Sequence, residues 1–419
     1  MDKLKPQEEI NESPNLKPQK EINDSPNLNI KIENTFPFSN EYIDHQRHSN
    51  ISDEEVKPYI IIDNGTDYCK AGLCNEEGPR ALVKACVGYP KYSHGMICED
   101  RERKSFFVGN EAYFKRRVLK INYPIEHGIV NDWNEMEKIW DYVFTNELRV
   151  DPKEHNVFIT EALNNPKENR EKISQIMFET YNVPCLYIAK QPVLSLYSEG
   201  KFDGTVIDSG EGITQVAPIF DGYVLSHAAT VIKLGGGDLT KYLMSLLSRF
   251  NDQEIIKDIK EKSCYVSYDY EEELKYVEPY NYELPDGTHV IIKDQRIKCP
   301  EALFKPNLIG EGEAGLAEEC YYSIQKCDID IRKYLYYNIV LSGGNTIFKG
   351  LKERLTKEIR VLAPESMKEE VRVISSYMSK FAIWIGGSIL STISSFESNW
   401  ITKTEYEELG ATIVHRKCF

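Results

Sequence analysis

No run of apolar residues in this chain approaches the roughly 20 needed to span a bilayer, and its polar, proline-bearing start shows no secretory leader. Its ten cysteines stand singly, without a Cys-x-x-Cys pair or a Cys/His cluster at metal-ligand spacing. That pattern argues against a structural zinc and a disulfide framework, and it predicts a reducing compartment. Positive charge is also short: 51 Lys and Arg face 66 Asp and Glu, a formal net charge of −15. A chain so charged repels nucleic acid and anionic membrane, while its acidic surface suits basic protein partners. What it does have is 419 residues, 41% of them hydrophobic and 28% charged. That is an ordinary globular balance, enough for two or three domains or one large two-lobed body.

Residues 1–57 differ in composition from all that follows. They hold a tandem repeat, Leu4-Lys-Pro-Gln-Glu-Glu-Ile-Asn-Glu-Ser-Pro-Asn15 and Leu16-Lys-Pro-Gln-Lys-Glu-Ile-Asn-Asp-Ser-Pro-Asn27. Proline at a fixed phase breaks helix and strand alike, and few apolar groups are present to offset ordering entropy, so this segment reads as a disordered tail. Order begins at Tyr59-Ile-Ile-Ile-Asp63, a β-branched run that enters a turn at Gly65-Thr-Asp67, with a second strand around Cys69–Leu73. Amphipathic helices are predicted over Asp132–Arg149 and Asn165–Tyr181. The opening device then recurs: Gly204-Thr-Val-Ile-Asp208-Ser-Gly210-Glu-Gly212 is again strand and Asp-x-Gly turn, and Ile213–Ile219 is the next strand. Two copies of one device predict two similar α/β lobes that face each other. Farther on, Asn338–Ser342 is a strand feeding the Gly343-Gly344 turn and a helix around Leu351–Arg360.

The Asp-x-Gly turns carry chemistry. A carboxylate at a strand end is rigidly held and can bind magnesium through its waters, since that ion takes few protein carboxylates. Glycine removes Cβ, so backbone N–H groups can approach phosphate oxygens. Lys70, just past the first turn, is placed to neutralise phosphate charge. Ser342-Gly343-Gly344 allows close backbone approach to a base or ribose. By contrast Lys260 and Glu261, within Asp258-Ile-Lys-Glu-Lys262, read on their own as a solvated helical face.

Longer runs resemble the actin family over essentially all of Tyr59–Phe419. They include Tyr123-Pro-Ile-Glu-His-Gly-Ile-Val130, Met136-Glu-Lys-Ile-Trp140, Gln175-Ile-Met-Phe-Glu-Thr180, Cys299-Pro-Glu-Ala-Leu-Phe304, Trp384-Ile-Gly-Gly-Ser-Ile-Leu390 and Ile413-Val-His-Arg-Lys-Cys-Phe419. The resemblance implies an α/β actin-like ATPase fold, two similar lobes of four subdomains around a nucleotide cleft. Subdomain 1 would comprise 58–84, 124–198 and 382–419, subdomain 2 residues 85–123, subdomain 3 residues 199–234 and 312–381, and subdomain 4 residues 235–311. It implies ATP or ADP with Mg2+ or Ca2+. Asp63, Gly65, Thr66 and Lys70 would lie on the first phosphate loop, and Asp208, Gly210, Glu211 and Gly212 on the second. Lys260 and Glu261 would flank adenine, with Gly236, Gly343, Gly344, Phe348 and Lys380 on the base and ribose side. Asp63 and Asp208 would organise the metal through water, and Gln191 and Gln215 would place the attacking water. An apolar groove of Tyr197, Ile389, Leu390, Ile393 and Phe396, recurring at helical spacing, would dock actin-binding proteins, and His127 falls on a histidine often methylated in the family.

Departures from the family set further expectations. Asp67 stands where the family has glycine; a carboxylate about 4 Å from another negative charge costs about 4 kcal/mol at an effective dielectric near 20, which predicts weakened or more cation-dependent nucleotide binding. Gln215 replaces a histidine and Glu211 an aspartate, which predicts slow hydrolysis. Assembly surfaces change at the charged loop Tyr92–Lys104, at Glu311 and Glu313, and in the shortened stretch Leu246–Gln253. The leading expectation is a divergent actin in the cytoplasm and cytoskeleton that assembles or co-assembles with itself or conventional actin. A non-polymerising scaffold subunit of a larger complex, nuclear or cytoplasmic, is the alternative. Nothing nominates the base and sugar pocket that a small-molecule kinase needs.

Overall fold

In the computed structural model, residues 57–91, 104–248, 250, 252–310, 312 and 314–418 are described, all within one unit, Val56–Phe419. The repeat-bearing tail, the loop Tyr92–Arg103, Glu311 and Glu313 lie outside the described residues. In chain order the two main sheets contain β1 (Ile60–Asn64), β2 (Tyr68–Leu73), β3 (Ala81–Lys84), β4 (Val157–Glu161), β5 (Cys185–Lys190), β6 (Gly204–Ser209), β7 (Thr214–Phe220), β8 (Tyr223–Val224), β9 (Thr230–Ile232), β10 (Ile339–Ser342), β11 (Val373–Ser375) and β12 (Ile401–Thr402).

The first sheet runs β12-β5-β4-β1-β2-β3 and the second β8-β7-β6-β10-β11, with β9 beside β7. Each is built on the same kernel. An antiparallel hairpin, β1–β2 or β6–β7, continues into parallel strands, β4 and β5 or β10 and β11. The central strands β1, β4 and β10 are buried along their whole length, as befits strands covered on both faces. Hairpin register decides what faces the carboxylates: Lys70 lies opposite Asp63, and Gln215 opposite Asp208. Directly opposed residues share one face of a sheet, so two site contacts follow from strand pairing alone.

The first lobe is closed by α1 (Trp133–Tyr142), whose N-cap Asp132 accepts from the Glu135 amide. Its apolar side bears Met136, Ile139 and Trp140, and the Trp140 indole N–H donates to Asn64 Oδ1 at 3.2 Å. The helix expected to reach Arg149 changes to π-helical winding over Val143–Leu148 and stops at Arg149, which takes a left-handed φ of 56°. In the same way the second predicted helix is α-helical only over Lys167–Gln175 and widens over Ile176–Thr180.

Helix α2 (Gln191–Tyr197) leaves β5 at the base of the cleft, with Pro192 in its first turn. The second lobe carries α3 (Gly236–Leu247), α4 (Gln253–Ser263) and α5 (Leu351–Leu362). Helix α6 (Ala382–Ser391) packs on α2 through Gly386, where an added Cβ would lie 1.8 Å from the Leu194 carbonyl oxygen. Because α6 ends at Ser391, Ile393 is not on it and Phe396 sits in a 3-10 turn, Ser394–Asn399. The helical spacing expected of the apolar groove therefore does not hold. Phe396 is 5% exposed and stacks edge-on with Tyr187 and Trp400 in the core, whereas Ile389 and Ile393 are each 38% exposed. Tyr197 and Leu390 are half-buried against the first core. No helix among the described residues is long and apolar enough to cross a membrane.

Candidate functional site: a cleft between two carboxylate turns

The hairpin turns of the two sheets abut. The Gly65 amide donates to Tyr68 O at 3.1 Å and the Gly210 amide to Ile213 O at 2.9 Å, closing each turn. A Cβ at Gly212 would meet Thr66 Oγ1 at 2.6 Å, so the turns approach more closely than a side chain would permit. His127 donates through Nδ1 to Gly212 O at 2.9 Å, and the neighbouring Gly128 amide donates to Thr66 Oγ1 at 3.1 Å. A cavity of about 1020 Å³ opens above them, at the upper end of the range usual for small-molecule and cofactor sites.

Asp63 is buried and fully engaged. Lys70 Nζ donates to Oδ2 at 2.6 Å, and Thr160 Oγ1 and Gln191 Nε2 donate to Oδ1 at 2.7 and 3.1 Å. Asp208 is also buried but only half satisfied: Gln215 Nε2 donates to Oδ2 at 3.0 Å, while Oδ1 has no partner. Burial first, and the nearby Asp63 charge second, push the Asp208 carboxyl above its usual range. The two carboxylates are joined by side-chain amides. Gln215 Nε2 also donates to Gln191 Oε1 at 3.3 Å, giving the chain Asp208–Gln215–Gln191–Asp63. Gln215 Oε1 meanwhile accepts from the Leu163 amide of the first lobe at 2.7 Å.

Gly343 requires its glycine. Its φ is +89°, and a Cβ there would lie 2.2 Å from Ser209 O and 2.9 Å from Asp208 Oδ1. The turn is tied down by Asn345, whose Nδ2 donates to Gly210 O at 2.9 Å, and by a 2.8 Å bond from Ser195 Oγ to Ser342 Oγ. On α4, Ile256 and Ile259 enter the second core while Lys257, Lys260 and Glu261 line the cavity. Lys260 is 3% exposed and donates to Gly236 O at 2.6 Å. This corrects the reading of Lys260 as part of a solvated face: its ammonium turns into the cleft wall, while Glu261 beside it lines the cavity and stays exposed.

The other expected residues, Glu211, Gly344, Phe348 and Lys380, also line the cavity, whereas Gly236 lies just behind the wall. Residues that sequence reasoning missed are Thr160, Asn345, Arg296, Lys84 and Lys257. Arg296 stacks on Tyr265 at 4.9 Å along the cavity wall.

Asp67 does not face the cavity as a lone charge. Lys84 Nζ lies 2.5 Å from Oδ1 and Lys257 Nζ 2.6 Å from Oδ2. Burial alone would raise the Asp67 carboxyl, but Lys257 and then Lys84 outweigh it and hold the group below its ordinary value. The repulsion expected of an unpaired carboxylate is thus neutralised within the protein.

The donor set fits a hydrated divalent ion with an anionic ligand. Two buried carboxylates converge, one with an unpartnered oxygen, beside glycine turns and the cations Lys70 and Lys260. No group of three or more His, Cys, Asp or Glu close enough to hold a metal directly occurs among the described residues. Compared with known families, residues 54–251 and 247–419 match the family model for actin, which covers both lobes and both turns. This chain belongs to the actin family.

Proposed function

We propose that the cleft binds ATP with a divalent ion and hydrolyses it slowly, in a cytoskeletal protein that assembles or co-assembles into actin-type filaments. The observation that carries the nucleotide reading is the pair of facing turns with Asp63 engaged and Asp208 Oδ1 left unpartnered. When bound, the ion would neutralise phosphate charge, with Asp63 and Asp208 holding its waters. Lys70 stands beside Asp63 to meet phosphate oxygens, and Lys260 and Phe348 wall the base and ribose side.

Slow turnover is supported by the amide chain. Gln191 donates to Asp63 and accepts from Gln215, which leaves one acceptor lone pair on Oε1 to orient an attacking water. Gln215 is fixed at three points and carries no titratable group to receive a proton. Hydrolysis then rests on positioning and electrostatics. The exposed Ile389 and Ile393, beside Tyr197 and Leu390, are where actin-binding proteins would dock.

The same tied-down amides favour a second reading, a non-polymerising scaffold subunit that holds nucleotide structurally. Sedimentation after adding magnesium, ATP and salt, with and without conventional actin, alongside phosphate release, separates the two. Pelleting with slow release supports the filament reading. A supernatant protein that retains nucleotide supports the scaffold.

A further inference from the structure

The phosphate end of the cleft holds four charged side chains, of which only Glu211 belongs to the residues expected to meet nucleotide. Asp67 lies on the first turn and Lys84 at the end of β3, both in the first lobe; Lys84 is opposite Tyr68 in register and lies 4.4 Å from the centre of its ring. Lys257 projects from α4 and Glu211 from the second turn, both in the second lobe. Lys257 Nζ lies 2.6 Å from Asp67 Oδ2 and 3.5 Å from Glu211 Oε1, so this one ammonium touches the turn of each lobe.

The four side chains are between 7% and 24% exposed, and Glu254 on the same helix adds a further negative charge near Lys84, Lys257 and Asp67. So placed, the group is only partly screened by salt, and it forms a network rather than an isolated surface pair. A separate contact ties the same helix to the first lobe: Arg116 lies 3.7 Å from Asp252, the N-cap of α4. With glycine at position 67, the carboxylate that meets Lys257 from the first turn would be missing.

We propose that Asp67, Lys84, Lys257 and Glu211 form an ionic clasp that ties the two lobes across the phosphate end of the cleft and slows the escape of bound nucleotide. The nucleotide part rests on the function proposed above. Escape requires the turns to part, and parting them strips Asp67 of one cation while leaving Lys257 to Glu211 alone.

The test is the dissociation rate of a preloaded fluorescent ATP analogue, chased with excess ATP, from the full chain and from Asp67→Asn, Lys257→Met and the double variant. The clasp predicts that each single change speeds release by roughly 10-fold, and that the double variant is no faster than the faster single. If Lys257 instead serves only as a phosphate ligand, Lys257→Met speeds release while Asp67→Asn slows it or leaves it unchanged, and the clasp is overturned. Hydrogen exchange of the nucleotide-free proteins supplies a readout that does not depend on ligand binding. Both single variants are expected to raise exchange across Gln253–Ser263 and the turn at 65–68. Unchanged exchange in both overturns the clasp even if no nucleotide binds, whereas raised exchange without nucleotide binding upholds the bridge and removes the nucleotide reading instead.

Discussion

Replacing Gln215 by leucine keeps most of the side-chain volume and removes every polar contact it makes. Gln215 is fully buried and holds three partners: the Leu163 amide, Asp208 Oδ2 and Gln191 Oε1. After the change the Leu163 N–H is left unsatisfied, at a cost of about 1–3 kcal/mol. Asp208 then loses its amide donor on Oδ2 and is left with the Ser342 hydroxyl and the more distant Lys70 in support of its charge, and a buried charged group so depleted costs more than a neutral one. Together the losses predict about 4 kcal/mol of destabilisation in nucleotide-free protein, measured by urea unfolding. Phosphate release in a single turnover should fall by at least about 10-fold, because Gln191 loses the donor that fixes its amide. Gln215→His, which keeps a donor opposite Asp208, should lose much less stability and, by restoring a titratable group, should release phosphate at least as fast as the parent. A Gln215→Leu protein within about 1 kcal/mol of the parent, with unaltered phosphate release, would refute the amide chain as the organiser of this site.

Other consequences are equally direct. Gly386→Ala forces a methyl group onto the Leu194 backbone and should separate α6 from α2, costing about 3 kcal/mol or more in urea unfolding, with Ser in place of Ala no better. Arg354→Met strands Glu301, which is 1% exposed and whose other nearby cation among the described residues is Lys305 at 3.7 Å; about 3 kcal/mol of stability should be lost, and the Arg354→Met/Glu301→Gln double variant should recover part of it. Lys260→Met should weaken ATP binding about 10-fold while shifting the urea midpoint little, since the hydrogen bond its ammonium makes is to a carbonyl at the cleft wall. Asp67 is held below its ordinary value of 3.8, so the stability it adds is complete above that value and is lost as pH falls through the lower folded-state value. The stability gap between parent and Asp67→Asn should therefore be flat from neutral pH down to about 5 and close only under stronger acid.

The two lobes were legible in the sequence because each opens on a buried β-branched strand that ends in Asp, and hairpin register then fixes the partners. Lys70 and Gln215 follow from that register without any knowledge of the rest of the fold. Lys260 was misread for a physical reason. Periodicity separates apolar from polar faces, but it does not distinguish a polar face toward solvent from one toward a cleft in the same molecule. Lys84 and Lys257 were invisible for a different reason. A carboxylate in a phosphate turn demands a cation, yet Lys257 lies 190 positions along the chain from Asp67, and no local pattern links the two. Phe396 was placed in the groove by continuing the α6 period past Ser391, where the helix in fact ends and the ring turns into the aromatic core around Trp400.

Calorimetric titration of nucleotide-stripped protein with ATP, in magnesium and then in EDTA, tests the central reading most directly. The facing carboxylate turns predict one ATP per chain, bound at least about 10-fold more weakly without the divalent ion. Absence of binding, or equal affinity in EDTA, would contradict the assignment of Asp63 and Asp208 as the pair that organises the ion.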